Sequence, residues 1–220
     1  MPDTDDAALR PGSFIDSDHP AVRAAALRLM ADGPTATAVA LYAFVRDAIR
    51  YDPYVDYTDP AIWRASAVLA AGSGYCVGKA SLYTALCRAA GIPAMLGLAD
   101  VRNHLATPRL LEATGTDLFS YHGFAEIRLG ERMLKVSPIF NASLCERLGV
   151  EPLAFDGEED ALMQPADRAG RTFMVYEADH GRFDDVPAEM LLPEMARLYP
   201  RLAVPGGLRG RMETEATGQA

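Results

Sequence analysis

This chain is poor in cysteine, short of positive charge and free of long apolar runs, and each shortage removes a class of function. Three cysteines in 220 residues, an odd number, argue against a disulfide framework. Cys76 and Cys87 fall on one predicted helix, where a rise of ~1.5 Å per residue holds them roughly 16 Å apart, too far to bridge. Cys87 and Cys145 read as structural thiols in a reducing compartment. Lys and Arg number 21 against 30 Asp and Glu, a formal net charge of −9. With no basic block, neither nucleic acid nor an anionic membrane is an expected partner. No apolar run reaches the ~18–20 residues of a membrane span. The start, Met1-Pro2-Asp3-Thr4-Asp5-Asp6, is acidic and reads as no secretory leader. A soluble cytoplasmic protein is expected.

Metal and cofactor signatures are missing too. His19, His104, His122 and His180 show no zinc-ligand spacing, and no His-Glu-x-x-His run occurs. The acidic loop Asp156–Asp160 lacks the spacing of a calcium loop and reads as a solvated face. No glycine loop of phosphate-cradling spacing is present. We therefore expect neither a metal nor a cofactor. With 50% hydrophobic and 23% charged residues, the chain can bury one sizeable core.

Helical signals come first. Asp18 or His19 can cap a helix with Pro20 at its first position, and Gly33-Pro34 opens another with Ala38, Tyr42, Val45 and Ile49 on one stripe. Residues 50–60 read as a loop. Ser66 is the expected cap of a short helix ended by Gly72. A further helix begins at Cys76, ends at Gly91 and is stopped by Pro93. Then the period changes. Ala94–Val101 reads as a buried strand, Leu110–Ala113 as a helical turn, and Ser120–Leu129 with Arg132–Val136 as a hairpin through Gly130-Glu131. A strand over Thr172–Tyr176 and a helix over Pro187–Tyr199 follow. Helices first and an antiparallel sheet later is class α+β. Residues 1–204 are expected to form a single domain, and 205–220 a disordered tail.

The chemistry concentrates in Gly74-Tyr75-Cys76-Val77-Gly78-Lys79-Ala80. A free cysteine is most often buried and structural. Here it starts a helix, where unpaired N–H groups and the helix dipole favour a thiolate and make it a nucleophile. The flanking glycines read as room for close approach. His122, on the strand Ser120-Tyr121-His122-Gly123-Phe124-Ala125-Glu126, is the matching base, against the bland reading of a satisfied strand histidine.

A third member has two candidates. A two-residue hairpin loop pairs Leu129 with Arg132, which puts Ser137 diagonally across from His122; diagonal Cβ atoms stand about 7–8 Å apart, long for a direct bridge. Asn141 is the other, an amide in the orienting role. For the oxyanion the Cys76 backbone N–H is one donor, and the second lies at Tyr75 or on a side chain of the upstream loop. Asp100 and Asn103, at the end of the first strand, line either a substrate cleft or an ion-paired loop.

From about Tyr42 to Asn141 these motifs resemble the transglutaminase-like superfamily. The resemblance rests on Gly74-Tyr75-Cys76 turning into a helix, Gly91-Ile92-Pro93-Ala94 leading into a strand, the strand histidine, and the hairpin ending Met133-Leu134-Lys135-Val136-Ser137-Pro138-Ile139-Phe140-Asn141. It implies a papain-like fold, with the cysteine helix packed on an antiparallel sheet, and a Cys–His–Asp site onto which Cys76 and His122 carry over. Where the family has Asp before Pro, this chain has Ser137. The whole chain is similar to a bacterial branch of the superfamily. The resemblance implies acyl transfer at an amide or peptide bond through a thioester, on a peptide, protein or small amide, with hydrolysis favoured and transamidation left open. The alternative is an inactive module that binds a peptide or protein partner.

Overall fold

The computed structural model describes residues 7–208 and 210–215. Helix α1 (Pro20–Leu29) starts at the expected cap: His19 Nδ1 accepts the Ala21 N–H at 3.2 Å, and Pro20 takes a position whose N–H would go unused. Helix α2 (Gly33–Ala48) buries Ala38, Leu41, Tyr42 and Val45, with Ile49 buried just beyond. Helix α3 (Ala65–Ala71) begins ahead of the expected Ser66 cap. Arg64 stands at its N-cap, and the Ser66 N–H goes to Asp16 Oδ1 at 3.0 Å, so a distant carboxylate caps this helix. Gly72, at φ +61°, ends it.

The expected loop over 50–60 is partly ordered into elements. Strand β1 (Arg50–Tyr51) pairs in parallel with β2 (Ser73–Gly74), and Pro60–Trp63 forms a 3-10 turn. A two-residue strand is too short to carry a readable period.

Helix α4 (Cys76–Ala89) is buried from Cys76 to Arg88, so its polar side chains must find partners inside the protein. They do so by clamping neighbouring elements. Lys79 Nζ donates to the carbonyls of Arg46 and Ile49 at 3.1 and 2.5 Å, at the C-terminal end of α2. Arg88 donates to the carbonyls of Ala94 and Arg10 at 2.9 and 2.6 Å. Gly78 permits a close approach, since a Cβ there would lie 2.5 Å from the Ile62 carbonyl oxygen. The space that sequence reasoning reserves for a ligand at this glycine is filled by the 3-10 turn and α3.

The sheet comprises β3 (Ala94–Asn103), β4 (Leu118–Leu129), β5 (Arg132–Val136) and β6 (Met174–Phe183), in the order β5-β4-β3-β6 and antiparallel throughout. Leu129 faces Arg132, the predicted register, and Gly130 turns the hairpin at φ +62°. Strand β6 runs well past the expected Tyr176. Further helices among the described residues are α5 (Pro108–Thr114), α6 (Ala142–Leu148), α7 (Ala188–Leu198) and α8 (Met212–Glu215). Helix α4 packs on β4, which gives the α+β, papain-like layering.

The tail expected from residue 205 is folded over much of its length. Gly206 N–H donates to Asp56, Leu208 N–H to the Tyr54 carbonyl, and Met212 is buried. The segment's polar composition hides its apolar anchors, Leu208 and Met212. Residues 1–6, 209 and 216–220 lie outside the described residues. Among the described residues no helix is long and apolar enough to cross a membrane.

Candidate active site

Cys76 is the first residue of α4, and Tyr75 at the N-cap makes no side-chain cap. The first-turn N–H groups are thus left for the thiol. His122 sits on β4 opposite Ala99 of β3. What brings the two together is Gly123: a Cβ there would lie 2.6 Å from Val77 Cα and 3.2 Å from the Cys76 carbonyl carbon. Only glycine lets β4 rest directly on the first turn of α4. Cys76 and His122 then line one cavity of about 40 Å³, with Tyr51, Asn103, Tyr199 and Met212 among its walls.

Both groups are nearly closed off, with 9% of Cys76 and 5% of His122 exposed. Burial pushes the Cys76 thiol up to about 11, against the N–H groups of Gly123, Val77 and Cys76, which favour the thiolate. Burial pushes the His122 imidazole down to about 4. In the closed site the pair is therefore neutral thiol and neutral imidazole. The helix start does act in the expected direction, but desolvation outweighs it.

Ser137 is the residue that reaches His122, with its Oγ 3.5 Å from Nε2. That separation is at the limit of hydrogen bonding. Asn141 is engaged elsewhere: Oδ1 accepts the Tyr51 N–H at 3.0 Å, and Nδ2 donates to Ser143 Oγ and Glu213 Oε1, each at 2.7 Å. The structure thus brings Ser137, and not Asn141, to the histidine.

Asn103 lines the cavity, its Oδ1 accepting the Leu105 N–H at 3.0 Å. Tyr75 lines it as well, and its hydroxyl accepts from the Trp63 indole N–H. Asp100 does not. Its Oδ1 accepts from the Tyr121 N–H at 3.2 Å and from His180 Nε2 at 2.7 Å. Ala99 faces His122 while Val101 faces Phe119, so β4 bulges opposite Asp100, with Tyr121 at φ +58°. A non-glycine residue at positive φ is strained. Asp100 therefore fixes the bend just ahead of His122, a structural part rather than the cleft wall expected for it.

Tyr51 is the residue that sequence reasoning did not single out. Its backbone is held beside Gly74 by the β1–β2 pair and by Asn141. Its side chain lines the cavity, and burial together with Cys76, Tyr54 and Asp52 keeps it a phenol. The hydroxyl makes no hydrogen bond to the described residues. The signal was faint: one tyrosine among several in a loop.

A profile of the Transglutaminase-like superfamily matches residues 23–138, just over half the chain. The match starts ahead of the core expected from Tyr42 and ends at Pro138. No curated protein matches. Among solved structures, the chain is similar to a candidate cysteine protease from Cytophaga hutchinsonii at 18% identity, over 63% of this chain and 43% of that one, with a TM-score of 0.47. It is also similar to a candidate protease from Parabacteroides distasonis at 16% identity, over 61% of this chain and 26% of that one, with a TM-score of 0.40. The chain spans less than half the length of either. By its profile match, this chain belongs to the transglutaminase-like superfamily.

Proposed function

We propose that this protein is a cysteine hydrolase of amide or peptide bonds. The observation that carries the reading is the joint placement of Cys76, at a bare helix start, and His122 in one cavity, held together by Gly123 on Val77. Substrate carbonyl carbon meets Sγ as the thiol proton passes to His122. The carbonyl oxygen becomes an oxyanion, for which the Cys76 N–H and the Tyr51 hydroxyl are the donors. His122 returns the proton to the leaving amine, and a thioester remains on Cys76. Water then attacks, His122 takes its proton, and the acid departs with the thiol restored.

Water is preferred to an amine as acceptor because it is always present. A peptide, protein or small amide is the substrate class. All three cysteines are free, which fits work in the reducing cytoplasm. The test is Cys76→Ala assayed on a library of amide and peptide substrates. Complete loss of turnover with folding intact is expected. Turnover retained in that variant would refute the proposal, and peptide binding without turnover in the unaltered chain would turn it into a binding module.

A further inference from the structure

The cavity around Cys76 has room for little more than one or two waters, yet the proposed reaction needs a substrate backbone against Sγ. What fills the space is the chain itself. Met212 lines the cavity with Cys76 and His122 and is only 1% exposed. It is carried by a segment that has come back across the fold from α7. Gly206 N–H donates to Asp56 at 2.6 Å, and Leu208 N–H to the Tyr54 carbonyl at 3.1 Å. Past Met212, two acidic side chains fasten the segment. Glu213 Oε1 accepts from Asn141 Nδ2 at 2.7 Å and Ser143 Oγ at 2.8 Å. Glu215 accepts from the Tyr54 hydroxyl at 2.5 Å and from Arg109 at 2.7 Å.

We propose that residues 206–208 and 210–215 are a built-in occupant of the substrate cleft, with Met212 in the subsite beside Cys76, and that substrate enters only when they leave. The proposal rests on the hydrolase reading for the identity of the cleft. It also names what the cleft takes. The subsite is shaped by a linear apolar side chain, and the groups around it, Asn141, Ser143, Tyr54 and Arg109, present donors. A competing substrate therefore carries an unbranched apolar side chain with carboxylates close by.

The contacts are of a kind that can be undone. Met212 is one side chain, and the clamps are a few hydrogen bonds and one partly exposed ion pair, set between buried Asn141 and Tyr54 on one side and the more open Ser143 and Arg109 on the other. Helix α8 has a single turn and no stability of its own. Its place depends on what it docks against.

The test reads access to Cys76 and not turnover. The full chain and its Glu213→Ala/Glu215→Ala variant are treated with N-ethylmaleimide, and labelling at Cys76 is separated from Cys87 and Cys145 by peptide mass mapping. We expect labelling to rise at least about tenfold in the variant. A synthetic peptide of residues 205–215 added in trans should restore protection, and the same peptide with Met212→Asp should not. Met212→Ala in the full chain serves as a second variant if the first does not fold. Unchanged labelling in the folded variant, or protection indifferent to the peptide's methionine, would overturn the proposal. Because no turnover is measured, an inert enzyme would sink the hydrolase reading, while the labelling would still report on its own whether this segment covers Cys76.

Discussion

A Cβ built on Gly123 would lie 2.6 Å from Val77 Cα, so the strand carrying His122 touches the helix carrying Cys76 backbone to backbone. No side chain separates the helix carrying Cys76 from the strand carrying His122. The geometry of the pair is set by that contact, and it is the most sensitive point of the site.

Gly123→Ala must move β4 off α4. Overpacking of this kind costs about 1–3 kcal/mol, and the shift falls directly on the Cys76–His122 separation. We expect stability to fall by that amount in urea unfolding and turnover to fall more than about tenfold, since positioning errors near 1 Å are expensive in rate. Unchanged turnover would mean that His122 reaches Cys76 by another arrangement.

Most helix ends, the hairpin register, and the placing of Cys76 at a helix start and His122 on a strand were legible because each is written locally: a cap, a glycine stop, a two-residue turn, a cysteine after glycines. Much of the rest depends on contacts between residues far apart in the chain. The two-residue β1 carries no periodicity, yet it sets Tyr51 against the cavity. Asn141 looked available as a partner for His122 until the fold gave its amide to Tyr51, Ser143 and Glu213. The thiol's pKa went the same way. The helix start is visible in sequence, whereas the burial that opposes it comes only with the tertiary fold.

His122 should make the protein acid-sensitive. Its folded pKa of about 4 lies below the ordinary ~6.5, so the fold favours the neutral ring. Between those values the unfolded chain binds the proton more readily. The stability contribution is full above about pH 6.5 and is lost as pH falls towards 4, a change of roughly 3 kcal/mol. Urea midpoints measured from pH 7 to 4 should drop, and the His122→Gln variant should lose that part of the slope. A variant with the parent's full slope would place the sensitivity elsewhere.

Tyr51→Phe removes a hydroxyl and little volume. If the hydroxyl donates to the oxyanion, kcat should fall by about 10²-fold with KM nearly unchanged, the size seen on losing one such donor. Cys76 labelling by maleimide should not change, because the thiol's surroundings are kept. A rise in KM with kcat preserved would make Tyr51 a substrate contact instead.

Ser137 tests how the imidazolium is supported. Its Oγ lies 3.5 Å from His122 Nε2, too long for a strong bond, and a hydroxyl brings no charge. Ser137→Ala should therefore cost little, less than about tenfold in kcat. Ser137→Asp places a carboxylate beside the ring. Its charge favours the protonated imidazole and raises that pKa from about 4 towards neutrality, which makes proton transfer from Cys76 easier. We expect a higher kcat, an acid limb of the pH–rate profile moved upward, and a matching shift in the His122 ring resonances. Desolvation of the new carboxylate acts against this, so the ring titration has to be read beside the rate. If Ser137→Ala instead loses activity by more than about 10²-fold while folded, the hydroxyl itself is the required partner, and the carboxylate variant should then fail as well.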